Sequence, residues 1–193
     1  MLFNSKTQAK EFNQKKAKRR RKAVLLLATV VVTLSMALTL QSYVAPDLQM
    51  KVKVSSILPA PKERVVELLK LPKTLFFVAQ PVTTFTDHEN FPVWWEVGET
   101  VQTQVKMFGM GAGKDYQITF TTIDEDLGLL VTHESGEGID SWIHTMSVEE
   151  MSNGRSRYTD IVEVKAGLMT IPTAVFIKFY YQHRHRRWLK ILQ

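Results

Sequence analysis

The sequence predicts an α+β domain, a curved antiparallel sheet around a long C-terminal helix, preceded by a single transmembrane helix. Three observations predict it. Ala23–Pro46 is twenty-four residues without a charge, directly after nine Lys and Arg residues opposed only by Glu11. Residues 100–165 alternate apolar and polar side chains in short runs separated by turn-like breaks. After Gly167, the segment Pro172–Leu192 carries apolar residues at helical spacing with a cationic second half.

The elements follow in chain order. Residues 1–22 read as a basic cytoplasmic tail and residues 23–41 (AVLLLATVVVTLSMALTLQ) as the membrane span. At ~1.5 Å per residue, such a run crosses a hydrocarbon layer of ~30 Å. The apolar run is longer than that of a signal peptide, and Tyr43 and Pro46 suit a small-residue cleavage site poorly, so an uncleaved anchor is expected over the alternative of a cleaved signal. The positive-inside bias puts the N-terminus in the cytoplasm and the domain outside, in a bacterial periplasm or its equivalent. Thr29, Thr33, Ser35 and Thr39 either mark a helix–helix contact or bond to their own helix backbone. Residues 42–49 form a linker short enough to keep the domain within ~30 Å of the headgroups.

Residues 50–193, about 144 in number, are enough for one domain with one core. The alternation of Val52 and Val54 with Lys51 and Lys53 reads as a first strand, stopped at Pro59-Ala60-Pro61. Lys62–Lys70 is an amphipathic helix and Pro72–Ala79 a second helix or turn. Strands are predicted at Val82–Thr86, Val93–Val97, Thr100–Phe108, Asp115–Ile123, Leu129–Glu134, Ser141–Glu149 and Arg155–Lys165. The short breaks between them favour antiparallel neighbours.

The charge is unevenly placed. The chain carries +6, yet its first 22 residues carry nine cations against one anion, so the remainder nets −2. The basic segment therefore suits anionic headgroups or a topology signal, and no nucleic-acid partner is expected. Absence of cysteine excludes disulfides, thiolate nucleophiles and Cys-based metal sites. Asp87-His88-Glu89 are consecutive, and His183 and His185 fall on different helix faces, so no metal site is expected. Gly109–Gly113 before Lys114 lacks the serine or threonine and the following helix of a phosphate loop. It reads as a hairpin at a cavity mouth, with Met110 as a mobile lip. The cations late in the last helix oppose its dipole or meet anionic lipid.

The domain resembles the START-like helix-grip superfamily (SRPBCC), which includes polyketide cyclase/dehydrase-like proteins and lipid carriers. The resemblance rests on Val52-Lys53-Val54 followed by Pro59–Leu69, on Val93–Glu99 (VWWEVGE) and on His183–Trp188 (HRHRRW), and it covers about residues 50–193. It implies a cavity between sheet and C-terminal helix that takes apolar ligands. It implies no shared reaction and no cofactor.

If the sheet grips the helix, the expected ligand-binding residues are Val105, Met107, Tyr116, Ile118, Phe120, Trp142, His144, Met146, Val162, Phe176, Ile177 and Tyr180, with Val164 and Tyr181 beside them. Two polar residues stand in apolar register, His144 with Trp142 and Met146, and Asp160 with Tyr158 and Val162. A hairpin around Met151–Gly154 would bring them together as candidate catalytic residues, with His133 joining them. The function expected is membrane-anchored binding of a hydrophobic small molecule or lipid. The alternatives are a cyclase- or dehydratase-like enzyme and a non-catalytic module of a cell-envelope complex.

Overall fold

The computed structural model describes the backbone of residues 3–44 and 47–193, and the side chains of residues 16, 18–37, 39 and 47–193. The chain divides into two compact units, Met1–Pro46 and Asp47–Gln193.

The first unit is one helix, α1 (Phe3–Val44). It runs through the predicted tail, span and start of the linker, because no Gly or Pro interrupts the sequence before Pro46. The predicted linker is therefore helical at its start. Among the described residues no helix is long and apolar enough to cross a membrane. The predicted span 23–41 includes the side chains of Leu38, Leu40 and Gln41, which lie outside the described residues, as do most side chains of the basic tail. Thr29 and Thr33 donate to the carbonyls of Leu25 and Val30 at 2.9 and 3.0 Å, so these hydroxyls serve their own helix.

The second unit is built from β1 (Met50–Leu58), α2 (Lys62–Leu69), α3 (Pro72–Ala79), β2 (Thr83–Phe85), β3 (Thr100–Met107), β4 (Met110–Asp124), β5 (Leu129–Gly136), β6 (Ile139–Met151), β7 (Arg155–Lys165) and α4 (Thr170–Ile191). The seven strands form one antiparallel sheet in the order β1-β7-β6-β5-β4-β3-β2. Register shifts at Val105/Met107, Phe120/Thr122 and Glu134/Gly136 insert bulges in successive pairings. Bulges bend and over-twist a strand, and the sheet curls into a half-barrel.

The pleat decides what enters the concave face. On β6, Trp142, His144, Met146 and Val148 are buried; on β7, Ser156, Tyr158, Asp160, Val162 and Val164 are. Helix α4 closes that face with Thr170, Ala174, Ile177, Tyr180, Tyr181, Arg184, His185 and Trp188, one stripe at helical spacing that runs its whole length. The helix is amphipathic along its length. In its early half Ile171, Val175 and Phe179 are exposed. In its later half Arg184 and His185 are buried, while Arg186 and Lys190 are exposed, so only part of the cationic run is free to oppose the dipole or meet lipid. Helix α2 buries Val65, Val66, Leu68 and Leu69, and its first free N–H, on Lys62, is capped by the Glu150 carboxylate of β6 at 3.0 Å.

The strand expected at Val93–Val97 does not form. Val93 and Val97 are exposed, Pro92 withholds a donor, and Gly98 turns the chain at φ +84°. The segment instead inserts Trp95, whose N–H bonds to the Lys70 carbonyl at 2.9 Å and whose ring stacks on Phe120 at 4.7 Å. The predicted glycine loop is also shorter than expected. Only Phe108 and Gly109 turn, and β4 already begins at Met110. Met110 is exposed and does not line the cavity described below.

Candidate functional site

Between the concave sheet and α4 lies a cavity of about 190 Å³. Its walls are mostly apolar. Ile118, Phe120 and Val105 come from the β3–β4 side, Met146 and Trp142 from β6, Leu75 and Val78 from α3, and Phe176, Tyr180 and Tyr181 from α4. Trp95 and Phe85 close one end as part of an aromatic cluster with Phe76 and Phe91. The rim is exposed and polar at Lys114, Asp115 and Glu137, where Lys114 and Glu137 face each other at 3.5 Å.

One side of the cavity is built from charges. Asp160, on β7, is almost fully buried. Its Oδ1 accepts from Tyr158 Oη and from His144 Nε2, both at 2.6 Å, and its Oδ2 accepts from His185 Nε2 at 2.9 Å. His185 Nδ1 completes its pairing with the Ser56 hydroxyl at 2.7 Å. Burial alone would push the Asp160 carboxyl up. The His144 charge, the hydrogen bonds from His144 and His185 and the nearby Arg184 outweigh that and hold it far below the usual carboxylate range.

Glu134, on β5, faces the other ring nitrogen of His144, with Nδ1 3.5 Å from Oε1. It also accepts from Thr132 Oγ1 at 2.7 Å and from the Tyr116 phenol at 2.5 Å. Burial pushes its carboxyl up, but the bonds and charge from His144, with Tyr116 and Thr132 donating, bring it below its ordinary value. Tyr116 reaches this position because Gly136 lies opposite it. A Cβ at Gly136 would stand 2.7 Å from Tyr116 Cδ2, so only glycine lets the ring lie across the neighbouring strand. Burial and the Glu134 charge raise the Tyr116 phenol well above its usual range, which keeps it a donor.

His144 thus stands between two carboxylates. A neutral imidazole has a single N–H and would turn a lone pair towards one of them, so the geometry favours the imidazolium. Burial opposes that charge, but the field of Asp160 and the bonds to Asp160 and Glu134 raise its pKa above the ordinary value. Neither ring nitrogen is left to serve a ligand.

The sequence-predicted residues divide clearly. Val105, Met107, Tyr116, Ile118, Phe120, Trp142, His144, Met146, Phe176 and Tyr180 line the cavity, as does Tyr181. Val162, Ile177 and Val164 do not; they are buried in the solid core behind the cavity wall. His144 and Asp160 are brought together. His133 is not, because the pleat of β5 turns Leu130, Thr132 and Glu134 inward and leaves His133 exposed. Sequence reasoning missed Glu134, His185, Arg184, Tyr158 and Ser56 as members of the cluster. For Glu134, the available signal was its even spacing from Leu130.

A curled antiparallel sheet closed by a long C-terminal helix over an apolar cavity is the helix-grip fold. Solved structures with this fold match the chain. A structural-genomics protein from Chromobacterium violaceum aligns at TM-score 0.59 and 14% identity, covering 74% of this chain and 97% of that one. A protein from Mycobacterium smegmatis aligns at 0.59 and 13%, covering 74% and 90%. Norcoclaurine synthase from Thalictrum flavum aligns at 0.56 and 11%, covering 75% and 93%. At these identities the likeness is one of fold. No family model matches the chain, and no curated protein matches its sequence.

Proposed function

We propose that the protein binds a hydrophobic small molecule in the cavity between sheet and C-terminal helix, held at a membrane surface by α1. The observation that carries the binding reading is the cavity itself, about 190 Å³ with mainly apolar walls. An engineered apolar cavity of ~150 Å³ is enough to take up benzene. The volume suits a single ring with a short chain better than a two-chain lipid. The Thalictrum flavum enzyme has been crystallised with dopamine and hydroxybenzaldehyde, ligands of the same modest size. The anchor reading rests on the uncharged run after a basic segment, and on the exposure of Val24–Leu27, Val30–Val32, Leu34 and Met36 along α1.

A cyclase- or dehydratase-like reaction is the second reading, and the like fold of norcoclaurine synthase favours it. Acid/base chemistry through His144 and Asp160 is less well supported, since both nitrogens of His144 are already engaged with carboxylates.

Native mass spectrometry of the full chain, released from lipid nanodiscs, is expected to carry a co-purifying apolar molecule. A chain that is empty and takes up no apolar dye would end the binding reading. Protease protection in intact cells tests the anchor and its sidedness. Degradation of residues 50–193 from the cytoplasmic side, in inverted vesicles, would contradict the proposed topology.

A further inference from the structure

We infer that the cavity's ligand is an apolar acid whose carboxylate is held by Arg184. This deepens the binding reading above and rests on it. The charged and polar groups around the cavity divide into those already partnered and those left over. Asp160 has its donors in His144, His185 and Tyr158, and Glu134 has its donors in Tyr116, Thr132 and His144. Both carboxylates therefore have donors from within the protein. Both nitrogens of His144 are spent on them.

Arg184 is the cation left over. It is only 6% exposed, lines the cavity and stays charged, held above its ordinary range by the surrounding tyrosines and Asp160 against the cost of burial. Its guanidinium lies over the ring of Tyr181 at 4.6 Å and near that of Tyr180 at 5.7 Å. Its Nε has no hydrogen-bond partner, and among the described residues no carboxylate lies within ion-pair distance of it. The Nε of Arg184 is sealed off, as are the unpartnered indole N–H groups of Trp188 and Trp142, so the part of Arg184 that a ligand can reach is its pair of terminal nitrogens, which have no hydrogen-bond partner among the described residues either. Trp188 is one helical turn beyond Arg184, on the same buried face of α4.

A buried donor without an acceptor costs on the order of 1–3 kcal/mol, more when charged. Here the excess is all on the donor side, and its strongest member is a guanidinium, whose planar fork matches a carboxylate. A ligand with an apolar body and a terminal carboxylate satisfies both halves of the cavity. A purely apolar ligand leaves the guanidinium unpaired. An amine meets a buried cation.

The test compares three probes of one shape, 4-phenylbutyrate, its neutral amide and butylbenzene, by calorimetry at pH 7. The full chain is held in phosphatidylcholine nanodiscs, with empty nanodiscs as blank. The expected order is acid, then amide, then hydrocarbon, with at least tenfold between the first two. Arg184→Gln is expected to remove that tenfold and to leave butylbenzene binding within twofold of the unsubstituted chain. Arg184→Lys, which keeps the charge and loses the planar fork, is expected to weaken the acid several-fold while the acid still binds better than the amide. If Arg184→Gln does not fold, the probe ladder and Arg184→Lys decide. Amide and acid binding equally, or hydrocarbon binding best, would overturn the carboxylate inference while leaving an apolar binding cavity. Failure of all three probes to bind would overturn the cavity reading itself.

Discussion

His144 Nε2 stands 2.6 Å from Asp160 Oδ1, although the two residues are not opposite one another in the sheet. His144 faces Val162 across the β6–β7 ladder, and Asp160 faces Met146. The contact is diagonal, reached because both side chains point into the same concave face and the strands twist. With His185 arriving from α4 and Ser56 behind it, Asp160 ties β1, β6, β7 and the C-terminal helix together.

Asp160→Asn keeps the shape and removes the charge that three donors share. Breaking a buried ion pair by neutralising one partner costs about 3–5 kcal/mol. Urea unfolding of the full chain is expected to show a loss in this range. A loss below about 1 kcal/mol would mean that the cluster contributes little to the fold. His133→Ala, by contrast, alters an exposed outer position and is expected to stay within about 0.5 kcal/mol.

Stability is expected to fall on both sides of mildly acidic pH. Asp160 and Glu134 have folded pKa values below their ordinary 3.8 and 4.5. Their contribution is present above those values and is lost as pH drops through the folded ones. His144 is raised above 6.5, so its contribution is complete below 6.5 and disappears as pH climbs through its folded value. The highest urea midpoint should therefore lie between 4.5 and 6.5. Asp160→Asn should flatten the alkaline side. A midpoint that keeps rising from pH 6 to pH 9 would contradict a protonated His144.

Gly136→Ala places a methyl group against the Tyr116 ring. The ring must shift, and its bond to Glu134 with it. A cost of about 1–3 kcal/mol is expected, as for other overpacked sites. The Tyr116 hydroxyl signal in NMR spectra should move or broaden. An unchanged signal and stability would show that the strands open there at no cost.

Val105→Trp extends a large side chain from a half-buried wall position into the cavity. Uptake of an apolar fluorescent dye is expected to fall at least tenfold, while stability changes by less than the ~1–3 kcal/mol typical of overpacking a filled core. Undiminished uptake would place the ligand elsewhere.

Much of the second unit was legible because its signals are local. The period-two patterns of β3, β4, β6 and β7 and the boundaries of α3 follow from residues that are neighbours in sequence. Most of the apolar cavity wall followed too, since one face of each strand has to be buried. Val162 and Ile177 show the limit, because a residue in a filled core and one facing an empty space have the same pattern. Val93–Val97 shows another, because a short aromatic-rich run without a partner strand forms turns.

The amino-acid order alone determined an α+β domain behind a charge-free run, and it set His144 and Asp160 in apolar register on adjacent strands. Tertiary structure alone decided that Glu134 would reach His144, that His185 would close the cluster, and that Arg184 would be buried without a carboxylate. The reason is physical. Periodicity records which way a side chain points from its own backbone. Bulges, twist and the seating of α4 decide which distant groups share a low-dielectric space, and there the donors and acceptors are counted.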